Sequence, residues 1–443
     1  MTETIPYNYF SHKNKIELVK KISLAVLSIG FLFLSISLTG VSKHQPVIFL
    51  LLSFGLIIIG TIAFYIMQIK ESPAGVKNNG RYFSLMTNRG IPAWIIGIFI
   101  SGFYSILYWY PSLIGNWIHL VDPISYTLRG KPANQWFLYS TFYTIAVLVM
   151  GTRMIVKYRH SKYHIIRTCS VMFFQFGFAF LIPAFLVHLN KPEFYFSYFW
   201  PLKYEYLFPS TISNLTSNFA ALGTFMIFWG AVMTFIATPV LTYFFGKRWY
   251  CSWVCGCGGL AETAGDPYRQ LSNKSLKSWK IERWMIYSVL VFIVTTTALL
   301  WLNLLLKGEV LGSISKTFAT VYGFIIGAVF SGVIGIGFYP IMGSRVWCRF
   351  GCPMAAVLGL QQKFFSSFRI TTNGGQCISC GNCSTYCEMG IDVKWYAQRG
   401  QNIIRASCVG CGICAAVCPR GVLKLENGKR KERYDMQWKL MED

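Results

Sequence analysis

Cysteine dominates the chemistry open to this chain, with fourteen copies in 443 residues and thirteen of them after position 250. The densest run reads Cys377-x2-Cys380-x2-Cys383-x3-Cys387, and it recurs as Cys408-x2-Cys411-x2-Cys414-x3-Cys418-Pro419. Three thiolates at two-residue gaps wrap three corners of an iron-sulfur cube. A more distant fourth cysteine closes the cage, and in two-cluster ferredoxins it belongs to the other run. The spacing therefore predicts two [4Fe-4S] clusters. One takes Cys377, Cys380, Cys383 and Cys418; the other takes Cys408, Cys411, Cys414 and Cys387. Structural zinc groups its ligands in twos, which fits four thiols per run poorly. Glu388 stands where the bacterial pattern has Pro, so the local turn there is expected to differ. Ile413, Ala415, Val417 and Val422 are the small or apolar residues expected to keep water from the second cube. Cubes with every corner held by cysteine lack an open position, and no catalytic base is recognisable nearby. The chemistry implied is electron transfer.

A second pattern precedes the first. "GKRWYCSWVCG" begins at Gly246 and "GSRVWCRFGCP" at Gly343, so Gly246, Arg248, Cys251 and Cys255 recur 97 residues later as Gly343, Arg345, Cys348 and Cys352. This is an internal repeat. If each segment is helical, the spacing places both thiols on one face. Two such pairs together offer four thiolates, enough for a third iron-sulfur cluster or another metal. A redox-active thiol pair and plain structural thiols are the competing readings. Cys257 can replace Cys251 or Cys255 as a ligand. Arg248 and Arg345 either offset thiolate charge or anchor the chain at an interface.

These cysteines need elements to hold them, and the composition says what kind. Hydrophobic residues make up 54% of the chain and charged residues 13%, which argues against an ordinary soluble globule. Eight apolar stretches reach membrane-crossing length, near 22–40, 47–69, 93–110, 136–156, 168–188, 217–245, 284–306 and 318–342. The expected fold is an all-α polytopic bundle followed by a small α+β bacterial-type two-cluster ferredoxin. Its divisions are 1–216 (five spans), 217–368 (three spans and the duplicated cysteine pairs), 369–425 (the ferredoxin) and 426–443 (a polar tail). The net charge of +24 comes from basic loops, not from a nucleic-acid surface. One set of loops carries Lys13, Lys15, Lys20 and Lys21, then Lys70, Lys77, Arg81 and Arg89. It continues with Arg153, Lys157, Arg159, Lys162 and Arg167, and then Lys247, Arg248, Arg269, Lys274, Lys277, Lys280 and Arg283. The opposite loops hold only Lys43, Arg129, Lys131, Lys191, Lys203, Lys307 and Lys316. The positive-inside rule then puts both termini and the ferredoxin in the cytoplasm, with the spans in a bacterial inner membrane. Close thiol spacing also implies a reducing compartment. The first apolar run has no cleavage site and is read as a retained span.

The loops near 111–135 and 189–216 are rich in aromatics, as in "KPEFYFSYFWPLKYEYLFP". They are expected to form an interfacial aromatic belt or to line a pocket for a lipid-soluble cofactor. His119 and His188 lie at the same side of the bundle. They are candidates for axial ligands of haem b, for quinone contacts, or for plain interface residues. Asp122 can accept a proton from quinol. His160 and His164 are four apart in a basic loop, where a solvated face is expected. Cys169 is expected to be an inert buried thiol. Gly323 and Gly327 in the eighth span favour close helix approach, by the sixth span or by a partner subunit.

On the two Cys-x3-Cys segments, Cys251–Cys255 and Cys348–Cys352–Pro353, and the eight-cysteine ferredoxin, the chain resembles the membrane polyferredoxin family. That family includes the quinol-dehydrogenase ferredoxin subunit of periplasmic nitrate reduction. The membrane half of the nitrous-oxide reductase regulator and the cytochrome oxidase accessory ferredoxin are related to it. The resemblance covers about 200–418. Gly256 stands where the family has Pro, and Cys257 is extra. No immunoglobulin-like tail follows the ferredoxin, and no flavin-attachment sequence is present. The resemblance implies a conduit between a quinol pool or cytoplasmic donor and a respiratory membrane or periplasmic redox partner. Such a chain would be a quinol-oxidising electron-transfer subunit without its own small-molecule substrate site. The other reading is a redox assembly or maturation factor for a metal-containing respiratory enzyme.

Overall fold

The structure, a computed structural model, describes residues 7–70, 89–307 and 313–427. Lys77, Arg81 and the tail from 428 onward lie outside the described residues. Among the described residues eight helices are long and apolar enough to cross a membrane: Ile16–Ser37, Pro46–Gln68, Ile91–Trp109, Gln135–Lys157, Lys162–His188, Pro209–Phe245, Leu276–Leu305 and Ile314–Ile334. They are numbered one to eight here. Outward-facing side chains such as Phe99, Phe228, Val291 and Leu305 stay exposed, as a lipid solvent permits. The protein is thus a multi-pass helical membrane bundle followed by a small ferredoxin-like region.

The ends of the spans depart from the apolar stretches for local reasons. Span seven starts eight residues before its apolar run because Ser275 caps it, accepting from the backbone N–H of Ser278. Span eight ends at Ile334, earlier than hydropathy predicts, and the chain turns before a short helix at Tyr339–Met342. A side chain at Gly337 would collide with Ser101 of span three, so this close approach needs glycine. Widened π-type turns occur at Phe174–Leu181, Met233–Ala237 and Gly323–Ile334, within spans five, six and eight. Pro183 and Pro239 follow the first two, and a wider turn relieves the clash of a proline ring with the preceding turn.

Beyond the bundle, strand β1 (Phe368–Thr372) pairs antiparallel with β2 (Leu423–Asn427), setting Ile370 opposite Leu425. The ribbon ties the ends of the two cysteine runs together. It does not form a separate core. One continuous cluster of buried side chains runs from Phe199, Ile293 and Tyr322 in the bundle, through Cys251, Cys255, Cys348 and Cys352, to Ile370, Cys383, Cys408 and Cys414. A second core, with Leu50, Leu107, Leu120 and Leu138, holds spans one to four together.

Candidate metal centres

Each Cys-x3-Cys segment forms the same backbone turn, and neither is a single helix. Gly246 and Gly343 adopt positive φ (+66° and +96°), ending the preceding helix. A short helical turn follows, Arg248–Cys251 in one copy and Trp347–Gly351 in the other. Cys255 and Cys352 then sit extended, as the N-caps of helices Gly256–Glu262 and Pro353–Phe364. The two thiols of a pair are therefore brought together across a turn and not along a helical face. The Cys352 sulfur accepts from the N–H of Ala355 at 3.4 Å. Pro353 suits the first helical position. Gly256 replaces it in the first copy, where a side chain would strike the Tyr198 hydroxyl and Gln175.

The fold brings Cys251, Cys255, Cys348 and Cys352 into one buried cluster, each no more than 6% exposed. Burial pushes the Cys251 thiol up to about 12, against the pull of Lys247, and pushes Cys352 well above the usual thiol range. Without a metal these thiols stay protonated, so any metal must displace protons as it binds. Cys257 is half-buried and hydrogen-bonded to Cys255.

Cations surround this cluster. Lys247 is fully buried, and its ammonium donates to the carbonyl of Ala406 at 3.2 Å. Arg345, 1% exposed, points Nη1 at the Cys348 sulfur (3.6 Å) and the Cys251 carbonyl (3.2 Å). Its Nη2 lies 2.7 Å from Glu262 and 3.0 Å from Glu388. From there a buried ion network extends outward. Arg167 meets Glu262, and Arg269 meets Glu388 and Asp266. Arg153 and Lys157 also meet Asp266. Arg167 donates as well to the carbonyl of Cys411 in the second ferredoxin run. Burial raises the Glu388 carboxyl, but Arg269 and Arg345 outweigh it and hold the group below its ordinary value. At Glu262 burial wins, and the carboxyl is raised. Five cations thus face three carboxylates in a region closed to water. Such an excess needs anionic neighbours at its ends. Glu388, where the bacterial pattern has proline, contributes its charge to this network.

In the ferredoxin region the two runs follow matching paths. Gly381 and Gly412 precede the short helices Asn382–Thr385 and Ile413–Ala416. The N–H groups of Ile391 and Val422 donate to the sulfurs of Cys387 (3.4 Å) and Cys418 (3.3 Å). Such bonds fit sulfurs that carry thiolate charge. Cys383 lies within electrostatic reach of Cys377, Cys380 and Cys418, and these four line one cavity. Cys414 is surrounded in the same way by Cys408, Cys411 and Cys387. Ile413, Val417 and Val422 are buried and Ala415 is half-buried, but Val422 lines the cavity of the first four cysteines and not the surroundings of Cys414. Cys411, Glu262 and Glu388 also place one ligand atom each within 4.8 Å of one another.

Elsewhere several expectations give way. The aromatic segment after span five is not a surface belt. It folds back into the bundle and buries Phe194, Ser197 and Phe199. Tyr250 donates to the carbonyl of Ser197 at 2.9 Å, beside Cys251. Gly323 and Gly327 receive Tyr204 from this segment, its hydroxyl nearest, and not span six. Cys169 is exposed on the outer surface of span five, not buried. His164 is buried and not solvated. It stacks on Tyr158 and bonds Ser161, while His160 stays exposed. His119 and His188 are both exposed. His119 pairs with Asp122 at 3.0 Å, and His188 stacks on Phe185. Asp122 also accepts from the N–H of Ala133, which pins its own loop. Sequence reasoning passed over the network around Asp266. Its only signal was an unusual number of ionisable residues close to the cysteine pairs.

A multi-span bundle continuous with these cysteine centres defines an iron-sulfur electron-transport protein with membrane-type helices. The 4Fe-4S binding domain matches twice, at residues 226–276 and 324–370, and the 4Fe-4S dicluster domain matches residues 376–423. Among known proteins the chain is similar to the electron transport protein YccM of Escherichia coli (strain K12), which carries that designation provisionally. The two are 24% identical over 184 residues, which is 37% of this chain and 47% of that protein. The chain thus spans about half the length of the curated relative it matches. No solved structure matches it.

Proposed function

We propose that the chain is a membrane electron conduit with three iron-sulfur clusters in series. Two sit in the ferredoxin region, on Cys377, Cys380, Cys383 and Cys418 and on Cys408, Cys411, Cys414 and Cys387. The third sits on Cys251, Cys255, Cys348 and Cys352. The observation that carries this reading is the convergence of four buried cysteines from two repeats, with Arg345 at 3.6 Å from the Cys348 sulfur. Bound clusters supply one-electron exchange. The residues do the rest. Lys247 and Arg345 offset thiolate charge, the apolar neighbours exclude water, and the shared core fixes the spacing between centres. The bias of basic loops supports a cytoplasmic ferredoxin in a bacterial inner membrane. The donor or acceptor pool is quinol or a cytoplasmic carrier, and the partner is a respiratory membrane or periplasmic redox protein. The divisions 1–216, 217–368 and 369–425 follow the same reading.

Anaerobic purification with iron, sulfide and haem quantified, joined to EPR during a redox titration, tests the proposal. About twelve irons per chain are expected from three cubes. About eight, with the Cys-x3-Cys thiols open to alkylation, would instead favour the assembly-factor reading.

A further inference from the structure

The cleft between span seven and the ferredoxin region encloses a cavity of about 280 Å³, and Cys348 lies in its wall. Five cations line it (Lys247, Arg283, Arg349, Lys363 and Arg405) against one carboxylate, Glu282. Glu282 is already committed to Arg349 at 2.6 Å, and the charge of Lys247 acts on Cys251. Arg283, Lys363 and Arg405 therefore face the cavity without a carboxylate partner among the described residues. Arg349 is 3% exposed, and its Nη2 is buried with no acceptor. Arg283 and Arg405 both lie over the ring of Trp279, at 5.3 and 4.3 Å, which holds two planar guanidinium groups on one stretch of the cavity wall. Arg283 and Tyr287 are shared with a second hollow, a lipid-facing groove of about 740 Å³ that continues along span seven past Val291 and Phe292.

We propose that this cavity and groove hold one anionic phospholipid. Its phosphate lies among Arg283, Arg349, Lys363 and Arg405, and one acyl chain runs along Tyr287, Val291 and Phe292. Arginine forks match phosphate oxygens, and basic pockets beside membrane helices select anionic headgroups. The charge decides against a neutral ring ligand such as a quinol. Among the described residues Glu282 is the one carboxylate in the lining, and its pairing with Arg349 disfavours its taking a quinol proton. The apolar continuation of the groove decides for a lipid over a free phosphate ion. A lipid seated here would cover the cavity wall that carries Cys348.

The test uses the full cluster-loaded chain in nanodiscs of phosphatidylcholine with a minor fraction of phosphatidylglycerol bearing a photoreactive acyl chain. Labelling is expected on the face of span seven that carries Tyr287 and Val291. It should fall at least fivefold in Arg283→Gln/Lys363→Gln and stay unchanged in the control Lys21→Gln/Lys162→Gln, with iron content equal in all three. Unlabelled phosphatidylglycerol should compete, and glycerol phosphate in water should not. Equal loss in both double variants would show general surface attraction and overturn the proposal. Labelling of wild type away from span seven, competition by glycerol phosphate, or competition by a short-chain quinone would overturn it too.

Discussion

Arg345 touches more of this chemistry than any other side chain described above. It links the Cys348 sulfur, the Cys251 carbonyl, Glu262 and Glu388. Replacing it with Gln keeps hydrogen-bonding capacity but removes a cation beside the four-cysteine centre. The midpoint potential of that centre should fall by about 60 mV for each tenfold weakening of the reduced state. Arg345→Lys should restore part of the shift, as EPR-monitored titration can show. Asp266 makes a different prediction. Burial alone raises its carboxyl, but Lys157, Arg153 and Arg269 together hold it well below the ordinary range. A depressed folded pKa stabilises the native state fully above the unfolded value of about 4. That contribution is lost as pH falls towards the lower folded value. Asp266→Asn should cost about 3–5 kcal/mol, because it leaves three buried cations facing a neutral group. Thermal unfolding in detergent should show that cost at neutral pH, together with a flatter acid limb than wild type.

The segment between spans five and six is the element whose role changed most. Its aromatic rings pack inward, Tyr204 against Gly323 and Gly327 and Phe199 against Tyr250 at 5.1 Å between ring centroids. A Cβ at Gly327 would sit 3.2 Å from the Tyr204 hydroxyl, so a branched side chain there must displace it. Gly327→Val should therefore destabilise the bundle by about 1–3 kcal/mol through overpacking. It should disturb the EPR signal assigned to the four-cysteine centre and leave the two ferredoxin signals unchanged. A segment confined to the interface would predict no change in any cluster signal.

For the whole molecule, the shared core is the decisive property. The ferredoxin region is bonded to the bundle through Ser252 to the Val409 carbonyl (2.8 Å), Gln362 to the Cys408 carbonyl (2.8 Å) and Ser272 to the Glu388 carbonyl (2.6 Å). Cluster centres held this way keep fixed distances, as electron transfer demands. Cys251→Ser/Cys348→Ser should lower bound iron by about four atoms per chain, one cube, while the ferredoxin pair stays loaded. An unchanged iron content would remove the third centre from the proposal.

What the amino-acid order determined alone is whatever repeats locally. Cysteine gaps of two and three residues name the ferredoxin, the 97-residue interval names the duplicated pairs, and unbroken apolar runs name the spans. These signals survive because each is set by neighbours in the chain: ligand bite, helix rise and membrane thickness. Tertiary structure decided the rest. Hydropathy could not tell the aromatics of 194–206 from an interfacial belt, since lipid-facing and core-facing rings are equally apolar. Spacing could not show that Cys251 and Cys255 meet across a turn, because the turn depends on a positive-φ glycine and an N-cap. Above all, Glu388 looked like a lost proline until Arg269 and Arg345, 119 and 43 positions earlier in the chain, closed around it. A buried charge draws its partners from wherever the fold places them, and no local pattern records that choice.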